Sequence, residues 1–285
     1  SQRGTPEDQA RQNAQRAESL SKDFSRGNVA FGVSHQITAD WESTLTVASN
    51  FRFPTAMELS SNGIHHGAFR HEQGNQNLDV EKGWAFDLSQ HFHKNNFKIN
   101  ASAYLYYFTN YIFLKPTGTF SILPHGGQVY KYDQSKAMLT GLEVDAHYQW
   151  NKFGFQAQAA YLYNKQISDS GVDYPLPFST PINGQFNLQY RLNDGGLLQQ
   201  NQFQVGTKTA LQQSRIAQNE EVTPGYTIAN AQFSSVLNFK GFKPQIRLQV
   251  NNVFNTVYYH HNSFYRALDI PEFGRNIQIF ITIPF

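Results

Sequence analysis

Long runs of alternating apolar and polar residues occupy most of this 285-residue sequence. In the last run, Ile277, Ile279 and Ile281 share one side, and the polar residues Asn276, Gln278 and Thr282 lie on the other. Because successive side chains of a strand point to opposite faces of a sheet, the pattern predicts strands with one apolar and one polar face. Eleven such runs are present: 24–38, 41–53, 83–92, 97–114, 134–150, 153–164, 182–192, 198–209, 226–239, 244–252 and 275–285.

The length and composition of these runs favour a transmembrane antiparallel β-barrel over a soluble β-sandwich. Many runs exceed the roughly 5–6 residues usual for a soluble strand. Aromatic residues make up 15% of the chain and charged residues also 15%, whereas about 25% of a soluble protein is charged. Barrel strands are apolar toward lipid and polar toward the lumen, with aromatic residues at the interfaces. Aromatic residues stand at predicted strand ends or beside turns at Trp41, Phe97, Tyr111, Trp150, Phe153 and Phe239.

The remaining composition excludes several other classes of protein. No stretch approaches the roughly 20 apolar residues of a membrane-spanning helix. The net charge of +2 is too small to indicate a nucleic-acid binder, and without cysteine there is neither a disulfide framework nor a thiolate metal site. Segment 1–23 is polar throughout, so we expect an extracellular loop or tail there and the barrel portion at 24–285.

The connections between the runs alternate between short and long. The short ones are residue 40, 93–96, 151–152, 193–196 and 240–243, and the long ones are 54–82, 115–133, 165–181, 210–225 and 253–274. Transmembrane barrels have short periplasmic turns and long extracellular loops, and complete bacterial barrels have an even number of strands. An odd number of strands, of which the first starts on the extracellular side, therefore predicts the C-terminal half of a larger barrel, such as the plugged barrels of about 22 strands.

Three segments resemble those of TonB-dependent outer-membrane receptors of Gram-negative bacteria. They are FRFPTAMEL (51–59) with HHGAFRHEQGNQNLDVEK (65–82), NNVFNTVYY (251–259), and YRALDIPEFGRN (265–276). The first is similar to the Phe-Arg-x-Pro and Asn-x-Asn-Leu elements of the family, with Gly74-Asn75 and Asn77-Leu78 in matching places. Phe285 resembles the C-terminal aromatic residue that the barrel-assembly machinery recognises.

This resemblance implies a set of partners and a kind of cargo. The partners would be outer-membrane lipid, the TonB energy-coupling complex, and an N-terminal segment or chain that supplies the plug and the first strands. It implies no resident cofactor, and the transported ligand would be an iron chelate, haem or zinc.

Two of the long loops carry the candidate ligand-binding residues. These are His65, His66, Arg70, His71, His260, His261 and Tyr265. Imidazole is the commonest metal ligand in proteins, and the adjacent His65 and His66 are the candidate metal ligands. The alternative that they are ordinary polar loop residues stays open, because spacing alone does not select a metal.

The resemblance implies TonB-dependent uptake of a metal chelate of the ferric siderophore type, with haem and zinc receptors as alternatives. A self-contained outer-membrane phospholipase or protease is the alternative from another class, and its barrel would have about 10–12 strands. That enzyme would need an even strand count and both termini in the periplasm. Because the sequence contains no nucleophile elbow, phosphate loop or zinc-protease motif, we expect no enzyme. A passive pore is a third possibility, but it would not explain the receptor-like segments.

Overall fold

Antiparallel strands form almost the whole of the computed structural model, which describes residues 22–124, 126–168, 171–239 and 241–284. The strands are β1 (Ala30–Thr38), β2 (Trp41–Arg52), β3 (Asn62–His65), β4 (Arg70–Gln73), β5 (Glu81–Lys94), β6 (Phe97–Phe120), β7 (Gln128–Trp150), β8 (Phe153–Ile167), β9 (Asn183–Arg191), β10 (Leu198–Ala210), β11 (Tyr226–Leu237), β12 (Gln245–Asn251) and β13 (Asn276–Thr282). A short helix, α1 (Ala56–Ser60), precedes β3, and a 3-10 helix spans Phe264–Leu268. Within the described ranges no helix is long and apolar enough to cross a membrane.

Eleven of the strands form one continuous path in sequence order, and β3 and β4 lie off it. The eleven predicted runs correspond to these eleven strands, which confirms the predicted all-β fold. In the described part of the chain no pairing joins β1 to β13, so the sheet is open, as expected for part of a larger barrel. The first strand begins at Ala30 and not at residue 24, because its pairing with β2 starts with Ala30 opposite Ala48.

The register places rows of unlike chemistry on the two faces of the sheet. One row near the short turns crosses seven strands on the outer face and contains Trp150, Phe153, Tyr190, Phe203, Phe233, Leu248 and Ile279. The adjacent row on the inner face contains Gln149, Gly154, Gln189, Gln204, Gln232, Gln249 and Gln278. An aromatic girdle outside and a polar wall inside are the two faces that a membrane barrel needs.

The hairpin of β6 and β7 is far longer than the other strand pairs. β6 has 24 residues and β7 has 23, more than twice the roughly 9–11 residues that cross the apolar layer. The prediction of a loop over 115–133 is therefore wrong for most of its length, since only 121–127 connect the two strands. Pro116 and Gly118 look like turn residues in the sequence, but the ladder accommodates them at an irregularity of register between Pro116 and Phe120.

The predicted loop 54–82 also contains ordered structure. The small hairpin of β3 and β4 lies against the extended hairpin, where β4 pairs in parallel with β7 and His71 stands opposite Val129. A buried cluster of Leu59, Leu78, Ile112 and Tyr132 lies beneath it. The long-loop end of the sheet therefore has a packed core of its own.

The receptor-like FRFP segment forms an ionic clamp at this end. The Arg52 guanidinium donates to both oxygens of Glu58, at 2.9 and 2.8 Å, and to Glu81 at 3.1 Å. Thr55 and Glu58 cap α1 reciprocally, each side chain accepting from the backbone N–H of the other. Burial alone would raise the pKa of Glu58, but hydrogen bonds from Arg52 and Thr55 outweigh it and hold the pKa below its usual value.

The Asn-x-Asn-Leu segment packs against the same helix. The Gly74 N–H donates to the carbonyl of Ser61 at 2.6 Å, and the Asn75 N–H donates to the carbonyl of Glu58 at 2.8 Å. A Cβ on Gly74 would lie 2.6 Å from the backbone nitrogen of Ser60, closer than real Cβ contacts. Leu78, only 1% exposed, anchors the segment in the buried cluster. Both elements therefore hold the first long loop in place.

Candidate functional site

The long connections meet at one end of the sheet in a cluster that we call the loop junction. It consists of Gly67, Arg70, Tyr130, Phe178, Glu220, Thr223, His261, Phe264, Tyr265 and Arg266. These residues come from four loops and from the upper part of β7. Segments far apart in the sequence are thus joined by specific contacts.

The centre of the loop junction is a group of aromatic rings. The ring of Phe264 lies 4.5 Å from that of Phe178 and 5.7 Å from that of Tyr130, centroid to centroid. The Arg70 guanidinium carbon lies 3.5 Å from the centroid of the Phe264 ring. Arg70 also forms a salt bridge of 2.5 Å with Glu72, so its charge is compensated while its face stacks on the ring.

Hydrogen bonds from the last long loop complete these connections. The Tyr265 hydroxyl donates to the carbonyl of Gly67 at 2.6 Å and joins the first and last long loops. The Arg266 guanidinium donates to the carbonyl of Glu221 at 2.6 Å and to the hydroxyl of Thr223 at 2.7 Å. The predicted residues Arg70 and Tyr265 are therefore brought into one structural unit.

Glu220 is the buried charge of the loop junction. Its carboxylate accepts from the backbone N–H of Phe178 at 2.7 Å and from that of Ala217 at 2.9 Å. The Nε2 of His261 lies 3.8 Å away, and the two side chains are 2% and 0% exposed. Burial by itself raises the pKa of Glu220, but His261 and the two backbone N–H groups outweigh it and lower the pKa.

Beside the loop junction is a cavity of about 270 Å³, which we call the loop cavity. Its polar lining includes Lys208, Gln213, Thr223, Tyr226, Tyr259, His260, His261 and Asn262. β10 and β11 supply the floor, and the last long loop supplies the histidines. Both His260 and His261, predicted from the sequence as ligand-binding residues, line this one cavity.

His260 and Lys208 are the titratable groups that define the chemistry of the loop cavity. The Nδ1 of His260 is hydrogen-bonded to the Tyr226 hydroxyl at 2.9 Å, and no described residue is hydrogen-bonded to its Nε2. Burial lowers the pKa of His260, the carboxylate of Glu272 opposes the shift, and Lys208 adds to it. The imidazole is therefore neutral near neutral pH and Lys208 is the cation.

Lys208 is a residue that sequence reasoning did not select. It shares the inner face of β10 with Gln202, Gln204 and Gly206, which are uncharged. The available signal in the sequence was that Lys208 is the single charged residue among the inward-facing positions of β10. Its significance depends on the cavity, which only the arrangement of the loops reveals.

A second cavity of about 210 Å³, the arginine cavity, lies on the other side of the loop junction. Arg70, Arg266, Tyr130, Phe178 and Phe264 all line it. Of the predicted residues, Arg70 therefore borders a different cavity from the one that His260 and His261 line. Glu220 also lines the arginine cavity and contacts His261 of the loop cavity, so the two cavities share a wall.

The three histidines of the first long loop occupy different environments. His65 and His66 are exposed at the tip of the β3–β4 hairpin and line none of the cavities described above. His71 is 4% exposed, and its Nδ1 and Nε2 lie 2.9 Å from Ser121 and Asn62 respectively. The structure therefore does not bring His65 and His66 together with His260, and metal binding by this pair stays a prediction.

Two further predictions concern residues outside the described ranges. The first concerns Phe285. The second concerns the predicted tail 1–23, of which only residues 22 and 23 are described. Of these, Lys22 donates to the carbonyls of Gln76 and Leu78 at 2.5 and 2.9 Å. Among the residues that the structure describes, no group of three or more His, Asp or Glu side chains is arranged to hold a metal ion.

The polar inner wall, the aromatic girdle and the converging long loops are features of a membrane β-barrel. A family model described as "TonB dependent receptor-like, beta-barrel" matches residues 5–253. The chain therefore belongs to this family. The family consists of transport receptors of the Gram-negative outer membrane that work with TonB and a plug domain, and they are not enzymes.

Solved structures of transporters share the fold at low sequence identity. The copper transporter OprC is 19% identical with a TM-score of 0.71, over 88% of this chain and 38% of that one. The FrpB iron transporter from Neisseria meningitidis (F3-3 variant) is 16% identical with a TM-score of 0.63, over 89% and 38%. The siderophore receptor PirA from Acinetobacter baumannii is 14% identical with a TM-score of 0.62, over 88% and 40%. The chain thus spans about two fifths of the length of these relatives.

Proposed function

We propose that this chain is the C-terminal part of the barrel of an outer-membrane receptor that takes up a metal chelate of the ferric siderophore type. Uptake would be driven by the TonB energy-coupling complex, which acts on a plug supplied by the preceding part of the receptor. Family membership supports the mode of transport, and the relatives named above carry copper, iron and a siderophore. The chemistry is binding and conformational change, without bond-making.

The observation that carries the choice of capture site is the convergence of the long loops beside the loop cavity. The Tyr265–Gly67 hydrogen bond and the Phe178–Glu220 hydrogen bond each join loops that are distant in sequence. A site whose walls are ordered before the ligand arrives loses less entropy on binding. His260 and His261 are then placed to contact the cargo, and Tyr265 and Arg70 hold the surrounding loops in position.

The inner wall supports the proposed interaction with a plug. Its row of glutamines offers amide donors and acceptors on strands β9 to β13. Neutral amides carry no fixed charge that a moving plug would have to leave unpaired. We expect the facing surface of the plug to be polar.

Transport by the complete receptor tests this function. The receptor is expressed in a bacterium that lacks its own metal receptors, and uptake of radiolabelled ferric citrate, ferric catecholate, ferric hydroxamate, haem, copper and zinc is measured. We expect one ferric chelate to be accumulated, and a protonophore or loss of TonB to abolish accumulation. Uptake that persists without energy coupling would indicate a passive pore, and uptake of haem or zinc alone would replace the chelate assignment.

The His260→Ala variant tests the capture site in the same cells. We expect it to weaken binding of the transported chelate, and His91→Ala, at the short-turn end of β5, is the control. Surface expression of both variants is compared by immunoblotting of outer membranes. Equal uptake by the two variants would place the capture site elsewhere.

A further inference from the structure

Lys208 is the cationic side chain in the wall of the loop cavity. Lys208 forms no hydrogen bond or ion pair with any described residue, and it is the one Lys or Arg among the described residues that line the loop cavity. No carboxylate of the described residues lines it either. An ammonium group held at the wall of a cavity, with no internal partner, attracts an anion and repels a cation.

Lys208 also lines a neighbouring cavity of about 320 Å³ together with Glu143 and Asp145, but no ion pair joins it to either carboxylate among the described residues. Glu220 lies behind His261 and accepts from two backbone N–H groups. Asp145, on the wall below, accepts from Gln158 at 2.8 Å and lies 2.7 Å from the Nε2 of His147. A carboxylate that these groups already engage has less to gain from a further cation.

The rest of the loop cavity is suited to oxygen-rich groups. Asn262 supplies an amide, and Gln213 supplies a second one that donates an N–H to the carbonyl of Ser179 at 2.8 Å. The Tyr259 hydroxyl, beside His260, donates to Asp269 at 2.6 Å. His260 lines the cavity, its Nδ1 is hydrogen-bonded to the Tyr226 hydroxyl, and its Nε2 has no hydrogen-bond partner among the described residues. Lys208 shares this lining and lies near the end of β10, where the sheet gives way to the loops.

We propose that the loop cavity binds an anionic, oxygen-bearing part of the cargo, such as the carboxylates or phenolates of a metal chelate, and that Lys208 selects it by charge. This inference rests on the proposed function and narrows it, because a bare metal cation would be repelled at this wall. His260 provides a further contact through Nε2. The metal itself stays coordinated by the chelator.

Binding to the complete purified receptor, with chelates that differ in charge, tests the proposal. The probes are ferric citrate and a ferric tris-catecholate as anions, a neutral ferric trihydroxamate, the cationic ferrioxamine B, and Cu²⁺ and Zn²⁺ alone. We expect an anionic complex to bind most tightly, and Lys208→Gln to weaken that binding at least about tenfold, as for loss of a charge-assisted hydrogen bond. Lys208→Arg keeps the charge and should retain most of the affinity.

Lys131→Gln is the matched control, because Lys131 is an exposed lysine of β7 that lines none of the cavities. We expect its affinity to stay within about twofold of the unaltered receptor, because Lys131 has the same charge and is also exposed but lies outside the loop cavity. Preference for a neutral chelate, a cationic chelate or a bare metal would overturn the inference and leave the proposed transport intact. Equal affinity of Lys208→Gln and Lys131→Gln would do the same. If the receptor neither binds nor transports any of the probes, the proposed function and this inference are both overturned.

Discussion

Replacing Glu220 by glutamine should release the long loops without unfolding the barrel. The carboxylate accepts two backbone N–H groups, from Phe178 and Ala217, and is 2% exposed. Glutamine keeps one oxygen and turns an N–H donor toward the other N–H. The loss of one charge-assisted hydrogen bond and the unpaired donor together cost about 2–4 kcal/mol. Since about 1.4 kcal/mol corresponds to a tenfold change in an equilibrium constant, the population with open loops should rise at least about 30-fold.

Hydrogen–deuterium exchange read by mass spectrometry measures this change. Peptides covering 174–182 and 215–225 should lose protection in Glu220→Gln, whereas peptides within β8 and β10 should not, because their backbone bonds belong to the sheet. Glu221→Gln is the control, since Glu221 contributes its backbone carbonyl to Arg266 and its exposed carboxylate has no described partner. Equal exchange in the two variants would refute the role of the buried carboxylate. Loss of protection throughout the strands would show that the loops and the barrel open together.

Three further outcomes are expected. Lowering the pH below about 4.5, the usual pKa of a glutamate, should progressively loosen the same loops. The pKa of Glu220 is lower in the folded state than in the unfolded state, so its contribution to stability is full above the unfolded-state pKa and is lost as the pH falls through the folded-state pKa. Exchange rates that stay constant at lower pH, after correction for intrinsic exchange, would contradict this. Gly74→Ala should make the first long loop more susceptible to limited proteolysis, because the added Cβ meets the backbone at the end of α1. Gly195→Ala is the control, since a Cβ there meets no atom and should leave digestion unchanged. Equal digestion of the two variants would contradict the packing argument. Arg52→Gln should destabilise the same loop by about 2–4 kcal/mol, because it leaves Glu58 and Glu81 without their cation. We expect faster proteolysis of segment 54–80, and an unchanged rate would show that the ion pairs of Arg52 are dispensable.

The strands could be predicted because each one records its two faces in its own sequence. Trp150, Phe153 and Tyr190 alternate with polar neighbours, so period two was visible in each strand before any pairing was known. The extended tops of β6 and β7 were not predictable in this way. There Tyr132 and Ile112 face a local core instead of lipid, and Pro116 and Gly118 resemble the residues of a turn.

The candidate site was predictable only in part. Loop composition indicated His260, His261, Arg70 and Tyr265, and the structure brings them to the loop junction or to the cavity beside it. Glu220 escaped prediction because its role depends on N–H groups of Phe178 and Ala217, one of them in another loop. No local pattern in the sequence records a partner 42 residues away.

The shared wall between the two cavities gives the loop junction a second consequence. His261 lines the loop cavity, its Nδ1 is 2.8 Å from the Thr223 hydroxyl, and that hydroxyl accepts from Arg266, which lines the arginine cavity. A group that enters the loop cavity and displaces His261 would therefore disturb the contacts of both Glu220 and Arg266. Those contacts hold the third, fourth and last long loops together. His261 therefore links the two cavities, through a hydrogen bond to Thr223 and through its ion-pair contact of 3.8 Å with Glu220.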